Sequence, residues 1–192
     1  DDGEAGVRAF RKVDGVLVAE VESFEVALLT SLVEQLVGLL GDPPDDARPV
    51  DSFAQWEGEM RSSVPLDLSD PVVQRLFPDA VPDDPVATAE FRRYTEDAQR
   101  RQRLADAAVV LDDLEASDGG AEPIGVPAGH FVAWIKTVNS LRLSLSARLG
   151  VQSEDDLYAL SKLSARDPRS QIVDIFDWLG FVLESLIEAN HP

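Results

Sequence analysis

Few side chains in this sequence have the chemistry to react or to ligate. Its 192 residues hold two histidines and no cysteine, which excludes thiol nucleophiles, thiolate zinc sites, disulfides and an intrinsic thiol redox switch. His130 and His191 stand 61 positions apart, and His191 is the penultimate residue. Chain ends fray, so one chain is not expected to assemble a histidine-based metal site or a catalytic triad. The acidic pairs Asp45-Asp46, Asp83-Asp84, Asp112-Asp113 and Asp155-Asp156 offer oxygen ligands for a hard cation. None has the EF-hand spacing with its central glycine and terminal glutamate. A Walker loop, a dinucleotide fingerprint and a nucleophile elbow are also missing. This inventory assigns no catalytic, cofactor-binding or metal-binding residue, and the expectation is a protein that is not an enzyme.

The arginines offer a different chemistry, that of docking. On a helix expected over residues 86–116, Arg92, Arg93, Arg100 and Arg103 fall within about 100° of arc, opposite a stripe of Phe91, Tyr94, Ala98 and Ala105. Such a face suits an acidic partner or phosphates. The same helix also carries Arg92-Glu96-Arg100 and Arg93-Asp97-Arg101 ladders, which would neutralise a solvated surface at about 0.2–0.5 kcal/mol per pair. A second helix sets Phe131, Trp134, Ile135, Val138, Leu141, Leu145 and Leu149 on one face, a core pattern rather than a cofactor box. Asn139 and Arg142 lie close to that face. Interior polar groups need hydrogen-bond partners, so each must either fasten neighbouring backbone or contact something external; fastening is favoured, which makes the two candidate structural residues.

The elements that must position these groups follow from periodicity and turn chemistry. Residues 7–21 alternate around Asp14-Gly15, a strong signal for a β-hairpin. Two strands alone are marginal in water, so the face bearing Phe10, Leu17, Ala19 and Val21 is expected to lie against helices. A helix over 23–40, capped by Ser23 and stopped by Gly41 and Pro43-Pro44, has an apolar stripe wide enough to suggest a central position. Residues 42–85 hold eight prolines and 11 acidic against 3 basic side chains. They read as an irregular acidic excursion, with short helices over 52–60 and, capped by Asp70, over 71–77. The helix over 86–116 is followed by a loop at Asp118-Gly119-Gly120, then helices over 127–150, 154–163 and 168–190. The fold class expected is mainly α, a bundle of about four long helices plus short ones with the hairpin packed on it, forming one domain over 1–192 with the bundle at 86–190. The last helix carries Ile175, Phe176, Trp178, Leu179, Val182, Leu183, Leu186 and Ile187. This is wider than one packing stripe requires, and the excess would suit a homodimer contact.

The formal net charge of −19 disfavours nucleic acid as a partner, because duplex affinity rests on basic surface. The richest apolar run, residues 26–40, is interrupted by Thr30, Ser31, Glu34, Gln35 and Gly38, and reads as a buried helix rather than a membrane span. With no recognisable secretory leader, a cytoplasmic protein is expected.

Three segments read together resemble a known family. The first is Asp70-Pro71-Val72-Val73-Gln74-Arg75-Leu76-Phe77-Pro78-Asp79-Ala80 with Asp83-Asp84-Pro85 and Glu90-Phe91-Arg92-Arg93-Tyr94-Thr95-Glu96. The second is Trp134-Ile135, Val138-Asn139 and Leu141-Arg142-Leu143, and the third is Asp174 with Trp178-Leu179 and Leu183-Glu184. Together they resemble the actinobacterial family first described as a domain of unknown function and later called AosR-like, for actinomycete oxidative stress regulator. The hairpin and first helix, including Ala27-Leu28-Leu29, sit where that family has them, so the resemblance covers nearly the whole chain. It implies a transcription-associated regulator linked to oxidative stress and cysteine supply, acting through a sigma factor, RNA polymerase or promoter DNA. The sequence departs from that picture in having no cysteine, so any redox role would be relayed by a partner. Direct DNA binding as a dimer, and a small-molecule- or metal-binding domain, are the alternatives.

Overall fold

A computed structural model describes residues 9–41, 66, 67, 69–79 and 84–191. The helix expected over 52–60 and most of the acidic excursion lie outside the described residues. The fold is the expected one, a helical bundle with an N-terminal hairpin, joined by one strand that the periodicity did not reveal. Strands β1 (Arg11–Val13) and β2 (Val16–Ala19) meet through Asp14 and Gly15, whose φ values of 50° and 84° form the left-handed pair that a two-residue hairpin requires. Strand β3 (Ile124–Pro127) then pairs antiparallel with β2, with Leu17 opposite Val126 and Ala19 opposite Ile124. Those four side chains and Phe10 are buried on one face. The third strand gives the hairpin the partner that two strands lack.

Helix α1 (Ser23–Leu40) begins one residue earlier than expected in its capping. Glu22 is the cap, and its backbone N–H donates to Glu25 Oε2 at 2.8 Å, while Ser23 occupies the first helical position. A glutamate pair replaces the serine because Glu25 sits three residues past the cap, where its carboxylate folds back on the free N–H. Only one face of α1 is buried, through Val26, Leu29, Val33, Leu36 and Leu40, while Phe24 is 64% exposed. The width of its apolar stripe therefore does not make it central. By length and composition α1 could cross a bilayer, but its Val26–Leu40 face is packed in the protein core.

Helix α2 (Pro71–Leu76) is capped as expected, with Asp70 Oδ1 accepting from the Val72 N–H at 2.7 Å. Helix α3 (Pro85–Ala116) leads through a 3-10 turn (Asp118–Gly120) to β3, and α4 (Phe131–Arg148) follows. The expected start of α4 near residue 127 is four residues too early, because residues 124–127 are committed to the sheet. Helix α5 (Glu154–Leu160) is short, capped by Ser153 accepting from the Asp156 N–H. Helix α6 (Ser170–Asn190) closes the bundle. The central helix is α4, which packs against α2, α3 and α6 and buries Trp134, Val138 and Leu141. On α6, Leu179, Val182 and Leu186 are buried, whereas Phe181 and Ile187 are 42% and 41% exposed.

The turn before β3 is pinned at Gly120, which has φ of 90° and comes so close to α1 that an added Cβ would stand 3.2 Å from Ser23 N and Cα and 3.3 Å from Val21 O. These are backbone atoms and give way poorly. Gly120→Ala is expected to destabilise the protein by about 2–3 kcal/mol in urea unfolding. Gly15→Ala, at φ of 84° with open space around it, is expected to cost only about 1 kcal/mol. Equal losses at the two sites would show that the Gly120 contact with α1 does not constrain the fold.

Candidate functional site

The arc of α3 that faces the core is set by Leu104, Ala107, Val110 and Leu114, all buried. Ala98 and Ala105 are too small to compete, and both are exposed. At 3.6 residues per turn the inward arc is the one that carries Arg100 and Arg103. For Arg100 and Arg103 the expected docking face is therefore corrected: both point into the bundle. Arg100 is buried and its Nε donates to the Leu40 carbonyl, closing the C-terminus of α1. Arg103 donates from Nη1 to Ser140 Oγ at 2.9 Å and from Nη2 to the Leu76 carbonyl at 2.8 Å, with its Cζ 5.3 Å from the centre of the Phe77 ring. Burial pushes its pKa below the usual guanidinium value, and the neighbouring Asp106 carboxylate opposes that shift. Arg103 thus clasps α2 to α4 from α3. The side chains of Arg92 and Arg93 lie outside the described residues.

Arg142 stacks between α4 and α6. Its Cζ stands 4.7 Å from the Phe176 ring centre, and its guanidinium lies over Gly180, where an added Cβ would be 3.4 Å from Nη2. It joins α4 to α6 through this cation–π contact, and its Nε has no hydrogen-bond partner among the described residues. Asn139 is exposed, one position off the buried stripe.

Arg103 borders the feature that sequence reasoning missed, a cleft of about 460 Å³ between α1, α3 and α4. Leu36 and Ala98 contribute apolar wall, and Gln102, Arg103, Asp106, Lys136, Thr137 and Ser140 contribute polar groups. Asp106 Oδ1 accepts from Gln102 Nε2 at 2.9 Å, and Lys136 Nζ stands 3.8 Å from Oδ2. Ser140 Oγ donates to the Lys136 carbonyl at 2.8 Å. Three buried atoms at this site, Asp106 Oδ2, Thr137 Oγ1 and Arg103 Nε, have no hydrogen-bond partner among the described residues. The signal for the cleft was present in the sequence as polar residues at core-facing positions. Thr137 and Ser140 interleave with Trp134, Val138 and Leu141 on α4, and Asp106 immediately precedes Ala107 on α3.

A second polar cluster ties α3 to the start of α4. Asp113, 8% exposed, accepts from Trp134 Nε1 at 2.8 Å, and His130 Nδ1 lies 3.0 Å from each of its carboxylate oxygens. A carboxylate only accepts here, so the His130 proton sits on Nδ1. An aspartate–histidine pair of this kind can act as a base only with a proton donor opposite Nε2. No hydroxyl among the described residues makes a hydrogen bond there; the neighbouring Ser117 Oγ donates instead to the Leu114 carbonyl at 2.7 Å. Among the described residues no group of three or more metal-ligating side chains is assembled.

Replacing Arg103 by lysine keeps the charge but gives up the planar fork, and one ammonium does not reach Ser140 Oγ and the Leu76 carbonyl while stacking on Phe77. Arg103→Lys is expected to lower stability by about 1–3 kcal/mol in urea unfolding. An unchanged midpoint would show that the clasp contributes nothing.

The model of the family described as domain of unknown function (DUF2017) matches residues 7–190. The chain is similar to AosR of Mycobacterium leprae (strain TN), with 34% identity over 182 residues covering 88% of this chain and 80% of that protein. It is also similar to the proteins named oxidative stress regulator AosR in Mycobacterium bovis (strain ATCC BAA-935 / AF2122/97) and Mycobacterium tuberculosis (strain ATCC 25618 / H37Rv). Each is 28% identical over 176 residues, covering 85% of this chain and 77% of the relative. No solved structure matches.

Proposed function

The chain belongs to the DUF2017 family, and on that premise we propose that it is a non-enzymatic regulatory protein of the oxidative stress response, acting in transcription through contacts with a sigma factor or RNA polymerase. The observation that carries this reading is similarity along most of the chain to proteins named as oxidative stress regulators. The side-chain inventory is compatible with it: the aspartate–histidine pair at Asp113 and His130 has no nucleophile set against it among the described residues. Within these 192 residues there is no cysteine, so this part of the protein receives an oxidant signal by relay rather than through a thiol of its own. Regulation of this kind takes place in the cytoplasm.

The docking face is narrower than the four arginines of the sequence pattern. Arg100 and Arg103 are engaged inside the bundle, which leaves Arg92 and Arg93 as its candidate cations, on the N-terminal half of α3 ahead of the buried stretch that begins at Arg100 and Leu104. The loss of two cations from the stripe, together with the net charge of −19, counts against direct DNA binding.

The test is capture of purified RNA polymerase core and of individual sigma factors by the tagged chain. Wild-type protein is expected to retain one of them stoichiometrically, and Arg92→Glu with Arg93→Glu to weaken retention roughly tenfold or more without changing the melting temperature. Retention of neither, or retardation of promoter DNA at low salt by the chain alone, would overturn the protein-contact reading.

A further inference from the structure

The cleft between α1, α3 and α4 holds more polar capacity than the protein itself uses. Asp106 and Thr137 are 8% and 2% exposed, and both line it. Gln102 satisfies Asp106 Oδ1, whereas Oδ2 has only the Lys136 ammonium near it, at a distance too long for a hydrogen bond. Thr137 Oγ1 has no partner among the described residues. Buried oxygens in this state are rare in folded proteins, and the common explanation is a partner that the chain does not supply.

The charges around the cleft select the class of ligand. A simple cation would answer Asp106 but oppose Lys136 and Arg103, and a simple anion would answer Lys136 but meet the Asp106 carboxylate. The geometry points to a small zwitterion, of the size of a free amino acid or dipeptide, carrying an ammonium and a carboxylate. Its ammonium lies against Asp106 Oδ2 and Thr137 Oγ1. Its carboxylate takes the Lys136 ammonium, which sits on a long side chain that is 52% exposed and swings away from Asp106 to receive it. Leu36 and Ala98 face the carbon skeleton. A volume of about 460 Å³ is within the range of small-molecule sites.

Calorimetric titration of the full chain with L-leucine, L-glutamine and L-alanyl-L-glutamine tests the assignment. At least one probe is expected to bind saturably with one site per chain. N-acetylation of that probe, conversion of its carboxylate to the amide, and Asp106→Asn are each expected to weaken binding roughly tenfold or more. Thr137→Val is expected to weaken it several-fold while leaving the melting temperature of the free protein unchanged or raised, since a methyl group replaces a hydroxyl that bonds nothing in the chain. That variant separates a ligand contact from a folding role. No saturable binding by any of the three at about 10 mM, or binding that survives removal of either charge, or binding indifferent to both variants, overturns the proposal. The titration is independent of partner capture, so the failure of either leaves the other standing.

Discussion

The constraint on which the rest of the structure depends is a carboxylate placed inside the core. Asp113 is 8% exposed, and an aspartate at that depth is tolerated only where donors meet it. Trp134 Nε1 and His130 Nδ1 supply them from the first turn of α4. This fixes the register of α4 against α3, because both donors must reach one carboxyl group. It also fixes the indole, which is fully buried and meets the Phe10 ring edge-on at 6.0 Å between centroids. The hairpin is thereby seated on a helix pair whose own alignment a hydrogen-bonded carboxylate has set. Apolar burial supplies most of the driving force, and the polar contact supplies the register.

The same economy recurs along α3. Arg100 reaches the end of α1, Arg103 reaches α2 and α4, and Asp113 reaches α4. Each polar side chain lies beside the stripe Leu104, Ala107, Val110 and Leu114 and turns outward from it to a neighbouring element. A helix with two arginines and an aspartate on its inward side packs less tightly than one with leucines there. The cleft beside Arg103 is where that looser packing opens between α1, α3 and α4.

The long elements were legible in the sequence because helical periodicity over many residues outweighs local ambiguity. The turns at Asp14-Gly15 and Gly41 and the Asp70 cap were legible because left-handed backbone and free helical N–H groups demand particular residues. Strand β3 was not, since Ile124-Gly125-Val126-Pro127 gives only one alternation and acquires its strand character by pairing with β2. The orientation of α3 was misread for a related reason. Charge ordinarily marks an outer face, and the competing apolar stripe begins only at Leu104, past the arginines. Asn139 was misplaced by proximity to an apolar face, a shift of one position on a helix being enough to carry a side chain from the core to solvent. The polar residues at core-facing positions of α3 and α4 signalled buried polarity but not a cleft, because its walls come from three helices and spacing along one helix does not report what another brings opposite.

Thr137 shows how a structural role and a functional one part company. Threonine and valine have nearly the same shape, so filling this position in the bundle does not require the hydroxyl. A hydroxyl that bonded the helix backbone would have an intrahelical use, as Ser140 and Ser144 do by donating to the carbonyls four residues before them. Thr137 Oγ1 makes no such bond among the described residues, and it is buried. The folded chain therefore bears the cost of desolvating this oxygen and recovers nothing for it internally. Arg103 Nε and Asp106 Oδ2 are in the same condition within the same cleft. One unsatisfied atom is an ordinary imperfection, but three around one concavity, of both hydrogen-bonding senses, describe the outline of a missing partner with charges of both signs.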